Sequence, residues 1–191
     1  MKIKNNKGYS LIELIIVLAI IAIVSTMSLL SINVLFSAKV KADSQTFNSE
    51  VGLIKADRYS EPVDLSGNKI PGAYYALRIY RHSDNRVYVQ KCAYNPVADV
   101  FITSNIDKRN DGRGLKLTSY TSVSYAEQKT GTVVDITGTG EAYVVYDKDG
   151  TIHLHTSGSK YYGAGKFMFK KRNGDIVANV YVRGNGSHNV R

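Results

Sequence analysis

Lys7-Gly8-Tyr9-Ser10-Leu11-Ile12-Glu13-Leu14 opens a stretch in which residues 14–36 carry no ionisable side chain and residues 14–24 are wholly apolar. A helix needs roughly 20 such residues, at about 1.5 Å each, to cross the hydrocarbon core of a bilayer. A helix inside a small soluble domain would show a polar face, and none appears in the run before Ser25. The run therefore predicts a membrane-length helix. Lys2, Lys4 and Lys7 precede it, while Lys39 and Lys41 come only after it; that bias keeps the N-terminus in the cytoplasm and sends the following residues outside. Val24-Ser25-Thr26 is a poor cleavage site, so removal behind the helix, as in a secretory signal, is not expected.

Glu13 departs from a plain anchor. A carboxylate just inside an apolar run costs several kcal/mol unless it is neutralised or paired. No basic residue lies within helical reach on its C-terminal side, so its cation must come from the start of the chain or from another molecule.

Leader lysines, a glycine, a glutamate five residues beyond it and an apolar helix coincide here, and over roughly residues 4–35 the chain resembles the N-terminus of type IV pilin and type II secretion pseudopilin precursors. The resemblance implies that a membrane aspartyl peptidase, the prepilin peptidase, cuts between Gly8 and Tyr9 and that Tyr9 is then N-methylated. It further implies that Glu13 meets the N-terminal amine of a neighbouring subunit in the assembled fibre. Opposite charges about 4 Å apart in poorly hydrated surroundings attract by several kcal/mol, enough to select register even where desolvation cancels much of the gain. The implied partners are prepilin peptidase, other pilin or pseudopilin subunits, membrane lipid and an inner-membrane assembly platform driven by a separate ATPase. Two features depart from the family pattern: Tyr9 stands where phenylalanine is more usual, and the apolar helix lacks the proline that kinks many major pilins. The resemblance leaves open a pilus, a secretion pseudopilus or a competence filament, and a major or a minor subunit.

Past Phe36 the sequence turns amphipathic. Phe36, Val40, Phe47, Val51 and Ile54 fall near one helical face, with Lys39, Asp43, Gln45, Asn48 and Lys55 away from it. The helix should continue until Pro62, and Ser60, Gly67 and Pro71 mark the loop beyond. From residue 73 onward short alternating runs predict strands near 74–81, 86–93, 100–103, 115–125, 131–137, 142–146, 151–155, 166–171 and 176–182. Turns fit Asp147-Lys148-Asp149-Gly150 and Asn173-Gly174, and Arg183-Gly184-Asn185-Gly186 has the composition of a mobile tail. The expected organisation is a cleaved leader at 1–8, a transmembrane and assembly helix at 9–36, its amphipathic continuation at 37–61 and an extracytoplasmic β-rich head at 62–191. The fold class is α+β: one long N-terminal helix whose apolar stripe packs on an antiparallel sheet. That arrangement is similar to the pilin architecture, and a head without further helices is similar to H-type minor pseudopilins and their minor-pilin relatives.

With 43% hydrophobic and 21% charged residues, the 191-residue chain has a globular composition and room for one head. Cys92, the single cysteine, excludes an internal disulfide and reads as a buried strand thiol. His153 and His155 share a strand face at a metal-chelating spacing but lack a third ligand. Asp107-Lys108-Arg109-Asn110-Asp111-Gly112 resembles a calcium loop except that Arg109 stands where an oxygen ligand is required. Gly163-Ala164-Gly165-Lys166 lacks the Ser or Thr of a phosphate loop, and no serine has the setting of a nucleophile. No residue set points to catalysis, a metal or a cofactor.

The net charge of +9 is unevenly spread: residues 156–191 hold seven basic side chains against Asp175 alone. Lys166, Lys170, Lys171, Arg172 and Arg183 lie on or beside two adjacent predicted strands, and such a patch binds nucleic acid phosphates without reading sequence. Two readings remain: a solvated or subunit-facing basic surface, and a DNA-binding minor pilin of a DNA-uptake filament with DNA as an added partner.

Overall fold

The computed structural model describes residues 10–138, 140–153, 161–162 and 164–191. One helix, α1 (Leu11–Ala56), is followed by a single 3-10 turn (Asp57–Tyr59). The chain divides into two compact units, Met1–Phe36 and Ser37–Arg191.

In the first unit no described side chain of α1 is fully buried. Leu11, Ile12, Leu14, Ile16, Leu18, Ile21 and Val24 are each at least half exposed. Their distribution on all sides of the helix gives no single face that a sheet could cover. The hydroxyl groups of Thr26 and Ser31 donate back to the carbonyls of Ile23 and Met27, at 2.8 and 3.0 Å. Those bonds meet their needs without water.

The second unit begins with the rest of α1, where Val40, Phe47, Val51 and Ile54 are at most 1% exposed. Two sheets surround this stripe. The first is built from β1 (Tyr74–Arg81), β2 (Val87–Asn95), β3 (Val100–Ile102), β4 (Leu115–Lys116), β7 (Glu141–Val145) and β8 (Tyr161–Tyr162), in the order β3-β2-β1-β7-β8 with β4 also on β2. The second contains β5 (Thr121–Glu127), β6 (Val133–Asp135), β9 (Gly165–Lys171), β10 (Ile176–Val182) and β11 (His188–Val190), in the order β11-β10-β9-β5-β6. All pairings are antiparallel except β7 with β8.

Alternation places Leu77, Ile79, Val87, Val89 and Val144 of the first sheet and Val123, Phe167, Phe169 and Val180 of the second in one core with the helix stripe. The Phe47 ring sits between Phe167 and Phe169, at centroid distances of 4.7 and 5.6 Å. The opposite face of the first sheet is also covered: Ala76, Cys92, Tyr94, Tyr143 and Val145 are buried together under Tyr74 and Phe101, with Phe101 stacked on Tyr143. Cys92 is thus a core residue. Burial pushes the Tyr143 hydroxyl well above the ordinary tyrosine range.

Several expectations need correction. Asp43 lies on the buried face, because it is three residues from Val40 and four from Phe47; it is only 7% exposed. Its carboxylate accepts from the Thr118 backbone N–H at 3.0 Å, the Thr118 hydroxyl at 2.8 Å and the Thr121 hydroxyl. Those bonds hold a turn that divides the expected strand 115–125 into β4 and β5, one in each sheet. The helix ends at Ala56, six residues before Pro62, and the 3-10 turn fills most of the gap. Of the expected strand 151–155 the described residues 151–153 form a bridge between Ile152 and Tyr146, and Leu154 and His155 lie outside the described residues.

The expected mobile tail is instead the turn into β11. Gly186 has φ +76°, and an added Cβ there would lie 1.8 Å from the Gly150 carbonyl oxygen. Lys55 donates to the Gly186 carbonyl at 2.9 Å, and the His188 ring bonds Asn48 at 2.9 Å, so β11 is fastened to α1.

Candidate functional site

The helix start is the first candidate. Ser10 precedes α1, and Glu13 lies in its first turn. The Ser10 backbone N–H donates to Glu13 Oε2 at 3.0 Å, while the Ser10 hydroxyl accepts from the Ile12 N–H at 3.4 Å. This is a reciprocal cap, in which an N-terminal Ser and a Glu three residues on take up otherwise unpaired helix N–H groups. The Ser10-Leu11-Ile12-Glu13 spacing announces it, yet reading Glu13 as a bare charge misses it. Glu13 therefore has a partner within its own chain. Its exposed position leaves room for a second, charged partner. Gly8 and Tyr9 lie outside the described residues.

Of the five basic residues predicted as a patch, two lie beside carboxylates and three line cavities. Lys170 sits 3.4 Å from Asp135 and Lys171 3.2 Å from Asp175, so both are locally neutralised. Lys166 and Arg183 line a groove of about 520 Å³ with Met168 and Tyr181. Arg172 lies elsewhere, in the turn after β9, and shares a separate cavity with Arg81 and Arg86.

The polar loop at 105–114 is a clamp rather than a cation site. Arg109 donates to both oxygens of Glu50 on α1, at 2.8 and 3.0 Å, and to both oxygens of Asp107, at 3.0 and 2.8 Å. Burial alone would raise the Asp107 carboxyl; the Arg109 side chain and the Lys91 and Arg109 backbone N–H groups outweigh it and hold the carboxyl below its ordinary range. Arg109 thus occupies the position where a calcium loop would place an oxygen. Gly114 closes the loop at φ +88°, where an added Cβ would fall 2.3 Å from the Val89 carbonyl oxygen. His153 Nδ1 lies 2.8 Å from Asp147 and its ring packs on Tyr94, so its neighbours are structural. Among the described residues no three His, Cys, Asp or Glu side chains are grouped to hold a metal ion.

Residues 3–29 match the family model described as the prokaryotic N-terminal methylation motif. No curated protein and no solved structure matches the chain. The chain carries a prepilin-type N-terminal motif on an α+β fold, one long helix followed by antiparallel sheets. The helix that contains most of the motif is long and apolar enough to cross a membrane. Together these features support a membrane-anchored substrate of prepilin peptidase, of the type IV pilin-like or pseudopilin kind, that assembles with other pilin subunits. The motif is one of processing and assembly, not of catalysis.

Proposed function

We propose that this chain is a minor pilin or pseudopilin, inserted with its N-terminus in the cytoplasm and its β-rich unit outside. Prepilin peptidase removes residues 1–8, Tyr9 is N-methylated, and the subunit enters a filament through the first half of α1. The match over residues 3–29 carries this reading. It is supported by an apolar helix whose side chains are bare over Leu11–Val24 within the chain itself. In the membrane, lipid covers those side chains; in the filament, neighbouring helices replace the lipid, fed by an inner-membrane platform. Packing between such helices supplies little register by itself, because lipid tails are as apolar as the side chains they exchange for. Glu13 supplies it by meeting the amine of a neighbour's Tyr9.

Two substitutions separate that role from the cap. Glu13→Gln keeps an acceptor for the Ser10 N–H, since Gln serves in this cap as Glu does, but removes the charge. Both Glu13→Gln and Glu13→Ala are expected to leave the melting of the outer unit unchanged and to lower recovery in sheared filaments by tenfold or more, as loss of about 1.4 kcal/mol requires. Parent-level incorporation of Glu13→Gln would overturn the charge pairing.

A further inference from the structure

Among the described residues, Arg81, Arg86 and Arg172 have no carboxylate within ion-pair distance, and all three line one cavity of about 410 Å³. We propose that this cavity is a binding site for a phosphate group, built from Arg81, Arg86 and Arg172 with the hydroxyl groups of Ser119, Ser122 and Thr137. The site is independent of the filament reading and holds whether or not Gly8 is the processing point.

The three cations are brought together by both sheets. Arg81 ends β1, Arg86 immediately precedes β2, and Arg172 immediately follows β9. Arg81 is fixed in place: Nε donates to the Ile136 carbonyl at 3.0 Å, and Nη1 to the Asn85 carbonyl and side-chain oxygen at 2.9 and 3.1 Å. Every one of those acceptors is neutral. Nη2 is left with a long contact of 3.4 Å to the Ser122 hydroxyl, which itself lines the cavity. Burial, and then the Arg172 charge, make Arg81 less able to keep its proton than an ordinary arginine.

Asp84, the one acidic side chain among the described residues of the lining, is already engaged. Its carboxylate accepts from the Tyr88 hydroxyl at 2.8 Å and the Arg86 N–H at 3.2 Å, with Lys116 at 3.4 Å. Positive charge held together in this way is relieved by an anion, and the planar arginine fork fits phosphate better than any other common anion except carboxylate. Hydroxyl donors beside it favour the oxygen-rich phosphate. Among the described residues no aromatic side chain lines the cavity, so none of them stacks a nucleobase; the phosphate itself is what is recognised. The volume falls within the roughly 300–1,000 Å³ of small-molecule pockets, ample for pyrophosphate or a small phosphate ester.

The test is titration of the full-length chain in detergent with inorganic phosphate and with pyrophosphate, followed by calorimetry. Saturable binding of pyrophosphate is expected. Arg172→Gln and Arg86→Gln should each weaken it about tenfold or more, because a hydrogen bond to a charged group is worth about 1.5–3 kcal/mol. Both residues leave the Arg81 anchor intact, and unchanged melting without ligand confirms that each variant folds. Lys171→Gln removes a neighbouring charge whose partner is Asp175, outside the cavity; it should leave binding within about twofold. A single-stranded oligonucleotide distinguishes the source: displacement of pyrophosphate that depends on Arg172 assigns the site to a polymer's phosphates, and no displacement assigns it to a small phosphate compound. Absence of saturable binding by either anion, or weakening by Lys171→Gln equal to that by Arg172→Gln, would overturn the site.

Discussion

The two halves of α1 draw on similar apolar residues and meet opposite fates. Over Leu14–Val24 the helix is apolar on all sides and covers none of it, whereas Val40, Phe47, Val51 and Ile54 are covered almost completely. The second half alternates its stripe with Lys41, Gln45 and Lys55, which gives sheets one face to enclose and water the other. The first half has no such division, so its apolar surface can be removed from water only by lipid or by other helices. One continuous helix thus combines a core element and an assembly element. What separates them is the placement of polar residues, not the amount of apolar ones.

This contrast makes its strongest prediction at Phe47. Phe47→Ala empties the space between Phe167 and Phe169 and should destabilise the second unit by about 3–5 kcal/mol, measured by chemical denaturation of the detergent-solubilised chain. Leu18→Ala, at a position 57% exposed, should change the same midpoint by less than about 0.5 kcal/mol. Equal effects would erase the distinction between the two halves. Gly114→Ala, where the 105–114 loop turns back onto β2, should cost more than the about 1–3 kcal/mol of the left-handed backbone alone, because its Cβ would also meet the Val89 carbonyl oxygen at 2.3 Å.

The smallest effect sharpens the clamp between that loop and α1. Asp107 has a folded carboxyl pKa below its ordinary 3.8, so its contribution is present above that value and is lost as pH falls through the folded one. Asp107→Asn should therefore cost about 1 kcal/mol near neutrality and converge with the parent in acid. A stability difference that persists unchanged into strong acid would remove the ionised Asp107 from the account.

Much of this division was legible in the sequence. The uncharged run at 14–36 announced the bare helix, and the 3,4 spacing of Val40, Phe47, Val51 and Ile54 announced the covered one. Strands β1 and β10 were readable to the residue, since alternation and flanking turns agree there. Local reading failed where long-range bonds decide. Asp43 reads as solvent-facing until Thr118 and Thr121 supply its donors, and those same bonds cut one apparent strand into β4 and β5. β11 was hidden by the glycines of the turn before it and by a partner on α1 about 140 residues earlier in the chain. Of the basic side chains at the C-terminal end, Lys170 and Lys171 lie beside Asp135 and Asp175, and Arg172 shares a cavity with Arg81 and Arg86, neighbours remote in sequence. The cap formed by Ser10 and Glu13 was present in the spacing, yet Glu13 drew a reading based on charge alone.

The central claim is that the bare half of α1 is an assembly helix exposed by prepilin processing. It is tested most directly by the intact mass of the protein purified from cells that contain prepilin peptidase. A chain lacking residues 1–8 and carrying one added methyl group is predicted; a chain that keeps its first eight residues would contradict the account.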